Sequence, residues 1–192
     1  MELHLTKKPA GVIIITGFPG VSLVGTITTK FLLDKLDTEP IGHIHSEELI
    51  PIVAVHKGEM IRPLGIFYNK QYNLVIVQAL SGIVGLEWQV AHMIEKLAKE
   101  LKAKEIINIE STVGFEGQIS AFYYTADKER KKQFEQIKLE EMKEGIIMGS
   151  TSALLLSENS VPTSTIFAKT HSDLPDYESA AKMIDVLDKV LK

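Results

Sequence analysis

Two stretches bring glycine, hydroxyl side chains and a helix start together, the combination that phosphate chemistry uses. The first is Gly17-Phe18-Pro19-Gly20-Val21-Ser22 and the second is Gly149-Ser150-Thr151. Glycine turns that lead into helices leave free backbone N–H groups at a positive dipole end, which attracts anions. On this reading Gly17, Phe18, Pro19, Gly20, Ser22, Gly149, Ser150 and Thr151 form an anion or ligand rim. The rim lacks a cation. Gly20-x-x-x-x-Gly25 is followed at once by Thr26, so the P-loop lysine is absent, and the pattern is not G-x-G-x-x-G either. Lys30 is the nearest downstream cation, about 12 Å along a helix from Ser22. One helix N-terminus gives an anion about 0.3–1 kcal/mol, whereas micromolar binding needs about 8 kcal/mol. The competing reading is a tight turn with close helix–strand packing at Gly25.

Other chemistry has less support. His43 and His45 alternate onto one strand face with Ile41, and His56 falls on a neighbouring strand, which brings a metal to mind. Only Glu47 and Glu48 are close carboxylates and no helical histidine pair joins them, so no metal site is expected. Ser111, Ser150 and His171 offer hydroxyls and a base, but no G-x-S-x-G elbow presents a nucleophile. Glu87 near a helix start is explained by the macrodipole. Catalytic residues and cofactors are therefore not assigned.

The elements that would position these residues are legible as alternating strands and helices. Val12 to Ile15, Leu74 to Val77, Ile106 to Ile109, Gly145 to Gly149 and Val161 to Ala168 read as buried strands. Ser22 is expected to cap a helix whose inner positions are Val24, Ile27, Phe31, Leu32 and Leu36. A second helix, Leu86 to Lys102, presents Val90, Ile94, Leu97 and Leu101 inward. Asp127 caps a charged, solvated helix to about Gln136, Ser150 caps Thr151 to Ser157, and Asp173 or Asp176 begins the last. Ile52 to His56 and the residues from Met60 make a hairpin about Lys57-Gly58-Glu59, with Leu64 to Tyr68 near the sheet margin. The pattern predicts one domain over residues 1–192: α/β, a three-layer α/β/α sandwich with a mostly parallel central sheet.

Composition narrows the function classes. A formal charge of −4 argues against a nucleic-acid partner, and no membrane partner is expected, since apolar runs are short and the N-terminus lacks a signal pattern. With no cysteine, thiolate ligands and thiol nucleophiles are excluded, and a cytoplasmic location is the expectation. The loop Leu80 to Trp88 is unusually apolar, and Ile83, Val84, Leu86 and the only tryptophan, Trp88, make it a candidate protein contact.

Gly17-Phe18-Pro19-Gly20 with Leu23-Val24-Gly25, then Ile41-Gly42, Ser46, Pro51, Gly58 and Pro63, resembles the archaeal branch of the proteasome assembly chaperone family. Gly149-Ser150 with Ala153-Leu154-Leu155 extends the resemblance across nearly the whole chain, although Ser22 stands where a further glycine is common. The resemblance implies a phosphorylase-like α/β/α fold, a homo-oligomer, and a non-catalytic chaperone whose partners are 20S proteasome α subunits or a related chaperone. Some members dock through a hydrophobic–tyrosine–any-residue tail. Lys189-Val190-Leu191-Lys192 does not match it, so docking through a folded surface is expected. The rival function is a small enzyme that binds a nucleoside or phosphorylated substrate at the strand carboxyl ends; an ATP-grasp enzyme ranks last.

Overall fold

The computed structural model describes residues 1–56, 58–113, 121–157, 161–170 and 172–191. In chain order the elements begin with β1 (Glu2–Leu5), β2 (Ile13–Gly17), α1 (Val24–Lys35), β3 (Thr38–His45), β4 (Ala54–His56), β5 (Glu59–Ile61) and β6 (Leu64–Asn69). There follow β7 (Leu74–Ala79), α2 (Glu87–Glu100), β8 (Glu105–Val113), β9 (Ala121–Thr125), α3 (Lys128–Gln136) and β10 (Glu140–Glu141). The chain closes with α4 (Gly149–Leu156), β11 (Thr163–Thr170) and α5 (Tyr177–Val190). Among the described residues one sheet runs β1-β3-β6-β7-β2-β8-β11-β9-β10, and β4 and β5 pair separately.

The four central strands, β7, β2, β8 and β11, are parallel. Their residues are buried on both faces, as the unbroken apolar runs require. On one margin β6, β3 and β1 add antiparallel, and on the other β9 is antiparallel to β11. Helices α2 and α4 cover one face over Ile14, Val75, Val77 and Ile106. Helices α1, α3 and α5 cover the other over Ile15, Ile76, Ile107 and Ile166. The sandwich thus has three layers, parallel at its centre and mixed at its flanks.

Several local expectations are corrected. Gly145 to Met148 forms no strand; it is unpaired, and Ile146 is 89% exposed. No slot is open for it in the parallel set, because β9 already pairs with the outer side of β11. β6 is not marginal, since β3 and the unforeseen β1 extend the sheet beyond it. Ile41 and His43 do not share a face. A bulge between Pro40 and Gly42 shifts the register, so Ile41 is buried together with Ile44.

Helix ends differ in the same way. α1 starts at Val24 and α4 at Gly149, and neither Ser22 nor Ser150 caps through its side chain. Asp127 and Asp176 do cap, accepting from the amides of Arg130 at 2.7 Å and Ser179 at 2.9 Å. Phe31 is exposed, and Thr28 and Thr29 pack inward beside Leu32 and Leu33 instead. The charged face of α3 is not wholly solvated either, because Arg130 reaches the buried Glu105. Burial raises the Glu105 carboxyl above its ordinary range, while Arg130 draws it back.

Close packing between β2 and α1 rests on two glycines. A Cβ on Gly25 would stand 2.6 Å from the Ile109 carbonyl oxygen, and one on Gly17 would stand 2.3 Å from the Gly25 carbonyl oxygen. Both obstacles are backbone, which cannot swing aside. Gly25→Ala is therefore expected to lower the unfolding free energy by about 1–3 kcal/mol. Gly82→Ala, whose Cβ meets open space, should change it by less than about 0.5 kcal/mol. Urea denaturation of the two variants checks this contrast.

Candidate functional site

In an open parallel sheet the working edge is where the strands end, above all where adjacent strands send their helices to opposite faces. β2 leads to α1 on one face and its neighbour β7 leads to α2 on the other. The glycine turn after β2 and the apolar loop after β7 therefore flank one crevice. The α4 start joins the same edge through β8.

A buried polar chain builds this edge. Asn108 lies fully buried in β8, where an amide needs partners on both sides. The Thr16 hydroxyl of β2 donates to Asn108 Oδ1 at 2.8 Å, and Asn108 Nδ2 donates to Thr151 Oγ1 at 2.8 Å. Thr151 in turn donates to Glu110 Oε2 at 2.8 Å, while the Ser111 amide donates to Glu110 Oε1 at 2.9 Å. Every bond in the relay points toward the Glu110 carboxylate. That carboxylate also lies against Gly20, where a Cβ would fall 2.4 Å from Oε1. Thr151 is in the first turn of α4, whose dipole favours a negative group there.

Of the residues in the sequence-read rim, the structure brings Gly20 and Thr151 together, with Glu110 between them. Gly17 and Phe18 are buried, the former against α1. Ser22 is buried at φ 56 and turns away from the crevice. Its hydroxyl meets Thr170 Oγ1 at 2.9 Å and the Ser172 carbonyl, and its carbonyl accepts from the Asp176 amide at 3.0 Å. Ser22 thus ties the first turn to the end of β11 instead of offering a donor to a ligand. Ser111 is similarly engaged, its hydroxyl donating to the Val21 carbonyl. His171 lies outside the described residues, as do Lys57 and residues 114–118 of the loop after β8. From the sequence Glu110 stands at a strand's carboxyl end with no role assigned, because a single acid after an apolar strand has no pattern to mark it.

The loop read as a contact surface divides in two. Ile83 is buried and joins the core under α2, and Leu86 packs partly against it. Val84 is 92% exposed and Trp88 53% exposed, the indole lying 6.4 Å from the His92 ring. Further exposed apolar side chains stand at the same edge: Val21 and Leu23 after β2, Val113 at the end of β8, and Leu174 and Tyr177 after β11. Taken in strand order, each of the four parallel strands delivers at least one of them. No helix among the described residues is long and apolar enough to cross a membrane.

A family model, described as the PAC2 family, matches residues 14–192. The chain belongs to the PAC2 family. Pyrococcus furiosus PbaA, described as an archaeal homologue of proteasome-assembly chaperone, superposes with a TM-score of 0.88 at 27% identity, covering 98% of this chain and 81% of that one. PbaB of the same organism, described as an archaeal proteasome activator, shares the fold with a TM-score of 0.80 at 17% identity, covering 99% and 88%. An uncharacterised protein of Methanocaldococcus jannaschii is 23% identical over 181 residues, 93% of this chain and 74% of its own length.

The relay has a titration signature. Burial raises the Glu110 carboxyl above its ordinary value, against the pull of the Ser111 amide and the Thr151 hydroxyl. The folded protein then holds this proton more tightly than the unfolded chain does, so the group's contribution to stability falls as pH climbs from the ordinary carboxyl range toward the raised value. Glu110→Gln removes the ionisation. Its stability, followed by urea denaturation between about pH 4 and about pH 8, should fall less steeply with rising pH than that of the unaltered protein.

Proposed function

We propose that this PAC2 protein is a non-catalytic assembly chaperone or oligomeric scaffold that engages 20S proteasome α subunits, or a related chaperone, through the apolar edge above its parallel strands. The observation that carries the reading is the set Val21, Leu23, Val84, Trp88, Val113, Leu174 and Tyr177, exposed where the four parallel strands end. Large exposed apolar side chains gathered on one face favour contact with another protein, and aromatic anchors dominate such contacts. The resemblance of the chain to PbaA supports the choice of partner. Self-association as a homo-oligomer would use the same edge.

The phosphate-binding alternative is weakened by Glu110. A phosphate placed about 4 Å from an ionised carboxylate is repelled by about 4 kcal/mol at an effective dielectric of 20. The α4 terminus offsets only about 0.3–1 kcal/mol of that. The protein's own carboxylate fills the position that an anion would take, between Gly20 and Thr151.

Mixing the protein with proteasome α subunits should give a complex on a sizing column. Trp88→Ala combined with Val84→Asp should weaken that complex at least about thirtyfold, the scale of losing a 2 kcal/mol hot spot. The melting temperature should hold, because both side chains face solvent. Absence of a complex at every salt concentration would count against the proposal. So would low-micromolar stabilisation by a nucleoside, nucleotide or phosphate in a thermal-shift screen, which would restore the enzyme.

A further inference from the structure

At the far margin of the sheet, β1 and β3 set four potential ligands on a two-by-two grid. Their antiparallel register pairs Glu2 with His45 and His4 with His43. Leu3 and Ile44, the pair between them, pack toward the core under α2. Strand alternation therefore sends Glu2, His4, His43 and His45 to the opposite face. The His4 ring lies 4.9 Å from that of His43 and 6.4 Å from that of His45, and His4 Nε2 is 3.3 Å from Glu2 Oε2. Three imidazoles and a carboxylate thus share one small surface, and no part of the chaperone reading uses them.

We propose that Glu2, His4, His43 and His45 form a site for one divalent transition-metal ion, zinc by preference, which clasps the edge strand β1 to β3. Two histidines at i and i+2 on one strand plus one directly across bring three imidazoles to one face at successive positions. Cross-strand neighbours have Cβ atoms about 4.5–5.5 Å apart. A tetrahedral zinc with nitrogens at about 2.0–2.1 Å holds them roughly 3.4 Å from one another, within reach of rings so rooted. Three imidazoles and one carboxylate complete the four positions of a closed structural site. Imidazole selects zinc, copper or nickel over magnesium and calcium, and the chain has no thiolate to compete for the ion.

As the side chains stand, the His4 and His43 rings are stacked with planes 15° apart, and no three donors among the described residues close on one point. Convergence requires side-chain rotation alone. His4, His45 and Glu2 are exposed, and His43 is half-buried, so room is available. Burial first, and then the charges of Arg62, His4 and His45, disfavour the protonated form of His43. The ion would matter because β1 is an edge strand of four residues whose one sheet partner among the described residues is β3. A bond across the pair adds to that short ladder what its few backbone bonds lack.

Tag-free protein titrated with zinc chloride should take up one ion per chain by calorimetry, with a rise in melting temperature. Cobalt chloride should give the intense visible absorption of tetrahedral Co(II) with imidazole ligands. His4→Gln and His43→Gln should each weaken binding at least about tenfold, no less than the loss of a mere supporting group would. His56→Ala, outside the grid, should leave it unchanged. Melting curves of the metal-free variants confirm that each is folded. Absence of saturable uptake at about 100 μM zinc, a weak octahedral cobalt spectrum, or uptake that survives the His4→Gln/His43→Gln pair would overturn the proposal. Uptake lost in His56→Ala but kept in His4→Gln would place the ion elsewhere and overturn it equally.

Discussion

An amide buried in the middle of a parallel sheet has to be answered on both sides, and Asn108 imposes that demand on the whole carboxyl edge. Thr16 answers from β2 and Thr151 from α4, so the central strands and a helix 43 residues further along become one bonded unit. Leaving such a group unpaired costs about 1–3 kcal/mol. The demand continues outward, since Thr151 spends its own proton on Glu110. Glu110 then lies close against Gly20, where a Cβ would make the carboxylate shift. Much of what looks like ligand-binding geometry follows from that sequence of obligations.

The same edge explains why one fold can look like an enzyme and work as a surface. Glycine turns and helix starts surround the crevice, yet their hydrogen-bonding capacity is turned inward. Ser22 binds the end of β11, Ser111 binds the turn before α1, and Thr151 binds Glu110. Large apolar side chains are exposed at the same edge: Val84 and Trp88 on one loop, Leu23 on the next, Leu174 and Tyr177 beyond. A hydrophobic rim favours a large partner over a small charged one, while Gln78 Oε1 and Ser81 Oγ at the end of β7 are buried with no hydrogen-bond partner among the described residues.

The two margins of the sheet contrast with its centre. The core strands are buried on both faces and paired on both edges. β1 and β3 at one margin are covered chiefly on the α2 side, which leaves the histidine face open. At the other margin the two-residue β10 gives way to Gly145–Met148, an apolar segment that pairs with nothing among the described residues. Edge strands this short, with charged or polar neighbours, limit unwanted pairing between copies.

Read by itself, the sequence determined the alternation of buried strands and amphipathic helices, hence the layered α/β/α architecture. It also determined the inner stripe of α2 and the Asp127 cap, and narrowed the start of α5 to Asp173 or Asp176. Those features depend on residues close together in the chain, where periodicity and local hydrogen bonding decide the outcome. Long-range packing decided where Ser22 points, why Ile41 and not His43 is buried, and why Gly145–Met148 stays out of the sheet. It alone paired His4 with His43 and set Glu110 against Gly20. Each of these depends on a neighbour far along the chain, a strand already paired or a bulge that shifts a register, and no local pattern carries that information.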